Sequence, residues 1–343
     1  MLYQELAIPT HYVPGRVSEI YRVPYLTRSI DAKAWAKKFH IQPALLDTLK
    51  IGLLIIDAQN TFCLSDSELF VSGRSGNGAI DDNRRLCEFI YRNLGLFTRI
   101  IATMDTHLGF QIFHPGFWID KENRNPDPMT IIALDDIESG RWRVNTEMAL
   151  GFENKSGCDL TEYALHYVSK LASGKKFPLI IWPYHAMLGG IGHALVSSVE
   201  EAIFFHSVAR NSQTAFEMKG SNPFTENYSV LRPEVTCDEM GIPFAGLDTG
   251  IVSRLMNFDR LIIAGQAKSH CVSWTVSDIL REIRQRDPLL ARRVYLLDDC
   301  SSPVVVPGID FTEQTEATWQ GFSEAGMHRV LSTDPIYKWP EFI

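Results

Sequence analysis

Six short apolar runs punctuate the chain, at 51–56 (IGLLII), 99–103 (RIIAT), 179–182 (LIIW), 202–207 (AIFFHS), 261–264 (LIIA) and 294–297 (VYLL). None alternates with polar residues, which suits strands buried on both faces. Helical spacing lies between most of them. At 81–97, Leu86, Phe89, Ile90 and Leu94 share one face, and 162–171 also reads as helix. Alternating strands and helices predict a three-layer α-β-α fold around a mostly parallel, doubly wound sheet. Residues 1–50 are mixed and proline-containing, an N-terminal extension with one helix near 31–39. Residues 51–343 read as one domain, interrupted near 119–177 by an insertion whose part at 120–154 is polar and loop-like. Long segments of this kind inside a compact domain are often lids.

Polar residues gather where the runs end: Asp57, Asp105, His107, His185 and Cys271. In open α/β sheets ligands bind beyond the carboxyl ends of the strands, so residues far apart in sequence can share one crevice.

Composition narrows the class. A chain that is 45% hydrophobic and 22% charged is ordinarily globular, and 343 residues build a core without disulfides. The net charge of −8 with no basic stripe argues against a nucleic-acid partner. The first residues lack a signal-peptide pattern, and no stretch is apolar enough to span a membrane. A cytosolic protein with no membrane partner is expected. The six cysteines are scattered without a C-x-x-C pair, and are read as reduced thiols.

Cys271 follows the run at 261–264 and precedes Val272, Thr275, Val276, Ile279, Leu280 and Ile283, which keep helical spacing. It therefore lies where a strand turns into a helix. A helix N-terminus offers free N–H groups that lower a thiol's pKa and can hold an oxyanion. Position alone leaves a buried structural cysteine equally open. His270 is discounted as its base, because adjacent residues on a helix do not face each other.

Gly265-Gln-Ala-Lys-Ser-His-Cys-Val272 resembles the nucleophile segment of the isochorismatase-like cysteine hydrolases, which include the nicotinamidases. Leu53-Leu-Ile-Ile-Asp-Ala-Gln-Asn-Thr-Phe62 resembles that family's first strand with its D-x-Q-N-D-F. The stretch from Phe216 to Ser229 resembles its lysine segment, a K-G followed by Y-S. Leu296 to Ser302, and Ala325-Gly326 with Val330-Leu331, resemble its later elements. The likeness covers roughly 50–335 apart from the insertion.

The resemblance implies that Cys271 attacks an amide carbonyl while Asp57 takes the thiol proton and gives it to the leaving amine. Lys219 stabilises the thiolate and positions Asp57. The N–H groups of Ala267 and Cys271 form the oxyanion hole, in a loop with a cis peptide at Gln266–Ala267.

Asp105 and His107 sit two apart at a strand end and so share a face. With His185 at the next end they can hold a divalent ion with open positions, or line a cleft without one. The resemblance implies the metal, zinc first with iron or manganese as alternatives. It rests on the D-x-H pair, His185 of Trp182-Pro-Tyr-His185, and His114 as a further ligand. The family's metal holds the pyridine nitrogen of the substrate. Phe62, Trp182 and Tyr228 match positions that contact the substrate ring. His193, in a short glycine group, is read as helix-start structure.

Two departures bear on the substrate: Thr61 where the family has a second aspartate, and Lys268-Ser269 in place of a Thr-Asp pair. The leading expectation is a nicotinamidase-like amidohydrolase acting on a small heteroaromatic amide. A related hydrolase for another amide, a carbamoyl compound or a vinyl ether stands second, and a non-catalytic binding protein third. The extension and the insertion are candidates to cover the pocket or to join copies in a homo-oligomer.

Overall fold

The computed structural model describes residues 5–149, 157–174 and 176–342. Its central sheet contains β1 (Ile51–Ile56), β2 (Arg99–Asp105), β3 (Ala215–Lys219), β4 (Arg260–Gly265), β5 (Val294–Leu297) and β6 (His328–Val330), in the order β6-β5-β4-β1-β2-β3. Every pairing is parallel. The chain lays β2 and β3 outward from β1, then returns to the other side of β1 to lay β4, β5 and β6. The sheet is therefore doubly wound, with its switch point between β1 and β4.

The longer helices are α1 (Tyr25–Lys38), α2 (Gly78–Arg92), α3 (Gly157–Ser173), α4 (Ser197–Arg210), α5 (Thr249–Met256), α6 (Ser273–Arg286) and α7 (Thr312–Glu324). Successive side chains of a strand point to opposite faces. Leu53 and Ile55 of β1 and Ile262 of β4 accordingly pack with Leu86 and Phe89 of α2 and Val199 and Ile203 of α4. Leu54, Ile56 and Ile263 face the other way, toward Tyr167 of α3, Ile251 of α5, Ile279 of α6 and Trp319 of α7. Both faces of the sheet are covered, as the unbroken apolar runs predict.

Two of the six runs do not enter this sheet. Of 179–182, only Leu179–Ile180 is a strand, and it pairs antiparallel with Ile131–Ile132 of the insertion. The run at 202–207 lies inside α4. That helix is buried almost all round, with the sheet on one side and α1 on the other, where Arg28 Nε reaches Glu201 at 2.6 Å and Tyr25 packs on Phe204. A helix buried on both sides shows no polar stripe and imitates a buried strand. The converse holds at β3, which no apolar run marks. It is an edge strand, exposing Phe216 and Met218 with Glu217 between them.

The expected loop at 120–154 carries short elements of its own. Trp118–Ile119 pairs with Arg143–Val144, and Leu134–Glu138 is helical. Residues 150–156 of that stretch lie outside the described residues, as does the side chain of Cys158. Cys63, Cys87, Cys237, Cys271 and Cys300 are free thiols. No helix among the described residues is long and apolar enough to cross a membrane.

Residues 5–50 pack into the same core, burying Tyr12, Val17 and Ala32. Their tightest polar tie is Arg210, the last residue of α4. Its side chain is 1% exposed; Nη2 meets Asp47 Oδ1 at 2.6 Å, and the guanidinium also donates to the carbonyls of Phe97 and Gln42. Removing one partner of a buried ion pair strands the other. Arg210→Met is therefore expected to lower unfolding stability by about 3 kcal/mol in urea titration. Arg210→Lys recovers only part of it, since one ammonium cannot serve the carboxylate and both carbonyls.

Candidate active site and metal centre

The four adjacent strands β4, β1, β2 and β3 deliver Cys271, Asp57, Asp105 and Lys219 to one end of the sheet. Register sets this: Ile56 pairs with Gly265, and Asp105 pairs directly with Lys219. At the end of β1 the chain turns sharply, with Asp57 at φ +45°. Aspartate tolerates that region better than most residues. Thr103 of β2 holds it there: its hydroxyl donates to Asp57 Oδ1 at 2.5 Å and accepts from the Asp57 N–H at 3.1 Å.

Lys219 is the hub. Its Nζ lies 3.0 Å from Asp57 Oδ2, 2.9 Å from Asp105 Oδ1 and 3.5 Å from Cys271 Sγ, and donates to the Asn227 carbonyl at 2.9 Å. All are buried. Burial alone would lower the lysine's pKa, but Asp105, Asp57 and Cys271 together hold it well above its ordinary value. The Asp105 carboxyl, although buried, is kept far below the usual range by His107 and Lys219.

The thiol corrects one expectation. Cys271 lies in the turn Lys268–Val272 that opens into α6, as its position predicts. Burial nonetheless raises its pKa well above the ordinary value, against the pull of Lys219. Burial raises Asp57 too, with Lys219 opposing. The resting thiol is thus neutral.

His107 lies two residues beyond Asp105 but past the strand's end. A bridge to Met187 and a hydrogen bond from its N–H to the Ala186 carbonyl hold it. His185 follows Leu179–Ile180 on a loop, not an end of the main sheet. His107, His114 and His185 bring ligand atoms within 4.8 Å of one another. His107 Nε2 is 3.1 Å from Asp105 Oδ1, and His185 Nε2 is 3.8 Å from Asp105 Oδ2.

The donor set fits a divalent cation. Nδ1 of His107 pairs with the His185 carbonyl at 3.2 Å, and Nδ1 of His185 with the Pro183 carbonyl at 2.7 Å. In each bond Nδ1 donates, which turns Nε2 toward Asp105, the orientation of metal-ligating histidines. Against its burial, Asp105 raises His107 above the ordinary imidazole value, so a cation at its Nε2 would displace a proton. Both ring nitrogens of His114 are buried without a hydrogen-bond partner. Burial and the neighbouring histidines push His185 down to about 3 and His114 to about 2, which keeps both rings neutral as ligands must be. Three imidazoles and a carboxylate suit zinc, iron or manganese. His193 is no part of this set: its Nε2 pairs with Thr106 Oγ1 at 2.9 Å, at the end of a 3-10 turn.

A pocket opens over Cys271 and Asp105, and Phe62, Trp182, Tyr228 and Ala267 all line it. Trp182 Nε1 donates to the Tyr228 hydroxyl at 3.3 Å, and Phe62 meets His185 edge-on. Leu69, Val71 and Val304 add apolar wall. His270, discounted as a base, also lines the pocket, and the turn carrying it is π-helical. Phe177, from the end of the insertion, stacks on its ring at 4.8 Å. Among the described residues nothing accepts a hydrogen bond from the Ala267 N–H, and the Gln266–Ala267 peptide is cis.

Three contributors escaped the sequence reading. Glu226 lines the pocket, pushed up to about 7 by burial. Its place two residues before Tyr228, in the lysine segment, was the available signal. Thr103 gave none, being one hydroxyl in an apolar strand. Gln59 exchanges hydrogen bonds with the backbone of Asp105, both at 2.8 Å. Thr61, Lys268 and Ser269, the residues of the two departures, do not line the pocket: Thr61 bonds Glu68, Lys268 bonds Asp298, and Ser269 Oγ pairs with Nδ1 of His270, which does line it.

No protein-family model matches the sequence, and no curated protein matches it. Among solved structures, one similar chain is an Acinetobacter baumanii nicotinamidase/pyrazinamidase, 17% identical, covering 84% of this chain and 99% of that one at a TM-score of 0.49. Another is the yeast nicotinamidase bound to the inhibitor nicotinaldehyde, at 16% identity, 82% and 99% coverage and a TM-score of 0.49. A third is the pyrazinamidase of Pyrococcus horikoshii in complex with zinc, at 17%, 82%, 99% and 0.43.

Lys219→Met would leave two buried carboxylates facing each other without a cation. The expected cost is about 3–5 kcal/mol of unfolding free energy at neutral pH. Lys219→Met combined with Asp57→Asn should be more stable than Lys219→Met alone; denaturant titration of both variants checks this.

Proposed function

We propose that the chain is an isochorismatase-like cysteine hydrolase that cleaves the amide of a small heteroaromatic compound, nicotinamide or a close analogue, to the acid and ammonia. The observation that carries this reading is the contact of one buried lysine with Asp57, Asp105 and Cys271 at the floor of an aromatic pocket.

The steps follow from the positions. A flat ring enters between Phe62, Trp182 and Tyr228, with its carboxamide above Cys271. Asp57 takes the thiol proton as sulfur adds to the carbonyl carbon. The carbonyl electrons move to oxygen, which the Ala267 and Cys271 N–H groups receive. Asp57 returns the proton to nitrogen as the C–N bond breaks and ammonia leaves. Asp57 then draws a proton from water, which adds to the thioester and frees the acid and the thiol. Because the thiol's ordinary state is neutral, Lys219 matters when negative charge reaches sulfur: it lies 3.5 Å away and is already charged. Asp105, His107, His185 and His114 would hold a divalent metal, zinc first, which when bound supplies a Lewis-acid point for the ring nitrogen.

Ammonia release from nicotinamide is the test. Full activity is expected from metal-loaded wild type, and a loss of at least about 10⁴-fold in Cys271→Ala and Asp57→Asn. A metal-loaded wild type that is inert toward nicotinamide and related aromatic amides would overturn the reading. Chelation should remove about one metal ion per chain by elemental analysis and abolish turnover, with zinc, manganese or iron restoring it. His185→Ala should lose the metal while retaining a thiol that iodoacetamide alkylates.

A further inference from the structure

The two residues flanking Ala267 send polar side chains away from the pocket and into the protein. Gln266 is fully buried. Its Nε2 donates to Asp82 Oδ2 at 2.9 Å, and its Oε1 accepts from the Ser302 N–H at 3.3 Å. Asp82 belongs to α2, is 2% exposed, and takes Arg85 at 2.9 Å on its other oxygen. Beyond Ala267, Lys268 Nζ lies 2.6 Å from Asp298 and 2.9 Å from Glu316, over the ring of Trp319. The backbone is held as well, Gln266 N–H to the Ile56 carbonyl and Lys268 N–H to the Ser302 carbonyl, both at 2.8 Å. None of Gln266, Asp82 or Ser302 lines the pocket.

An apolar side chain at 266 would fill this space without burying a carboxylate, and buried charge is costly unless paired. What the polar contact adds is direction. A satisfied buried network fixes one arrangement, and an oxyanion donor works only when it is aimed within a few tenths of an ångström. We infer that Asp82 is a positioning residue: through Gln266 it orients the peptide whose N–H at Ala267 receives the oxyanion. This rests on the oxyanion role given to Ala267 above. Asp82 touches neither substrate nor reacting atoms. Its contact holds the loop from behind, across the switch point between β1 and β4.

The test uses pyridine-3-carbaldehyde, the aldehyde counterpart of the proposed substrate. Cys271 sulfur adds to its carbonyl carbon, the C–O π bond opens onto oxygen, and the thiol proton ends on that oxygen or on Asp57. Adduct affinity, followed by tryptophan fluorescence, therefore reads the oxyanion hole. Iodoacetamide alkylation reads the thiol alone, because displacement of iodide creates no oxyanion. Asp82→Leu and Gln266→Leu should each weaken the adduct by about 100-fold. The double variant should be no weaker than either single one, since both break the same contact. Asp82→Asn still accepts from Gln266 and should stay near wild type, and alkylation rates should barely change throughout. Wild-type adduct affinity in Gln266→Leu, additive losses in the double variant, or alkylation falling in step with adduct affinity would each overturn the inference. If wild type alkylates at Cys271 yet forms no adduct with this or other small aldehydes, the oxyanion role of Ala267 fails, and this inference with it.

Discussion

A lysine ammonium out of water is the constraint on which the rest of the site depends. Removing Lys219 from solvent costs several kcal/mol, recovered only if oxygen acceptors surround it in good geometry. Asp57, Asp105 and the Asn227 carbonyl do so, each at 2.9–3.0 Å. Those acceptors come from two other strand ends and a loop. The ion pairs therefore exist only if β1, β2 and β3 are neighbours in parallel with Asp105 level with Lys219. The topology and the charge cluster specify each other, because a one-residue slip of β3 would turn the lysine to the opposite face.

The same cluster sets the state of the thiol. A cysteine at a helix start in water would lean toward thiolate. Here the walls that make the pocket apolar also desolvate the sulfur, and the net result is a neutral thiol. Phe177, from the end of the insertion, stacks on His270, the residue before Cys271. In a dry site each charge is felt more strongly than in water. Lys219 can then favour negative charge on sulfur at the moment it develops, while carrying little thiolate at rest.

How much of this was legible depended on where each signal lay. The central strands β1, β2, β4 and β5 are buried on both faces and announce themselves as apolar runs. The polar residues at their ends could be read directly, and Asp57, Asp105 and Cys271 come together as that reading requires. Lys219 closes a strand that no run marks, since an edge strand wets one face; only its likeness to a known segment pointed to it. The run at 202–207 misled because α1 covers α4 from outside, a tertiary fact that no local pattern contains. His185 reached its place by a loop and a bridge to the segment after β2, not by ending a central strand. His270 was set aside on α-helical geometry, and the π-helical turn that carries it leaves no trace in residue spacing. Thr103 and Gln59 act through single hydrogen bonds to neighbouring strand ends, visible only once the register is known.

The energetics bear on whether this cluster serves stability. Buried ion pairs are often no better for stability than apolar residues of the same volume. This one contains two carboxylates, and it lies beside His114, whose ring nitrogens lack partners. A protein selected only to fold would gain by replacing such a group with leucines, as the surrounding core shows it can. Of the seven non-glycine residues that hold positive φ among the described residues, two, Asp57 and Ala186, lie at the site. The buried charges gather at the carboxyl ends of β1, β2 and β3, beneath the aromatic pocket. The same end of the sheet carries the Cys271 thiol and an Ala267 N–H that has no acceptor among the described residues, the groups that the proposed hydrolysis would use.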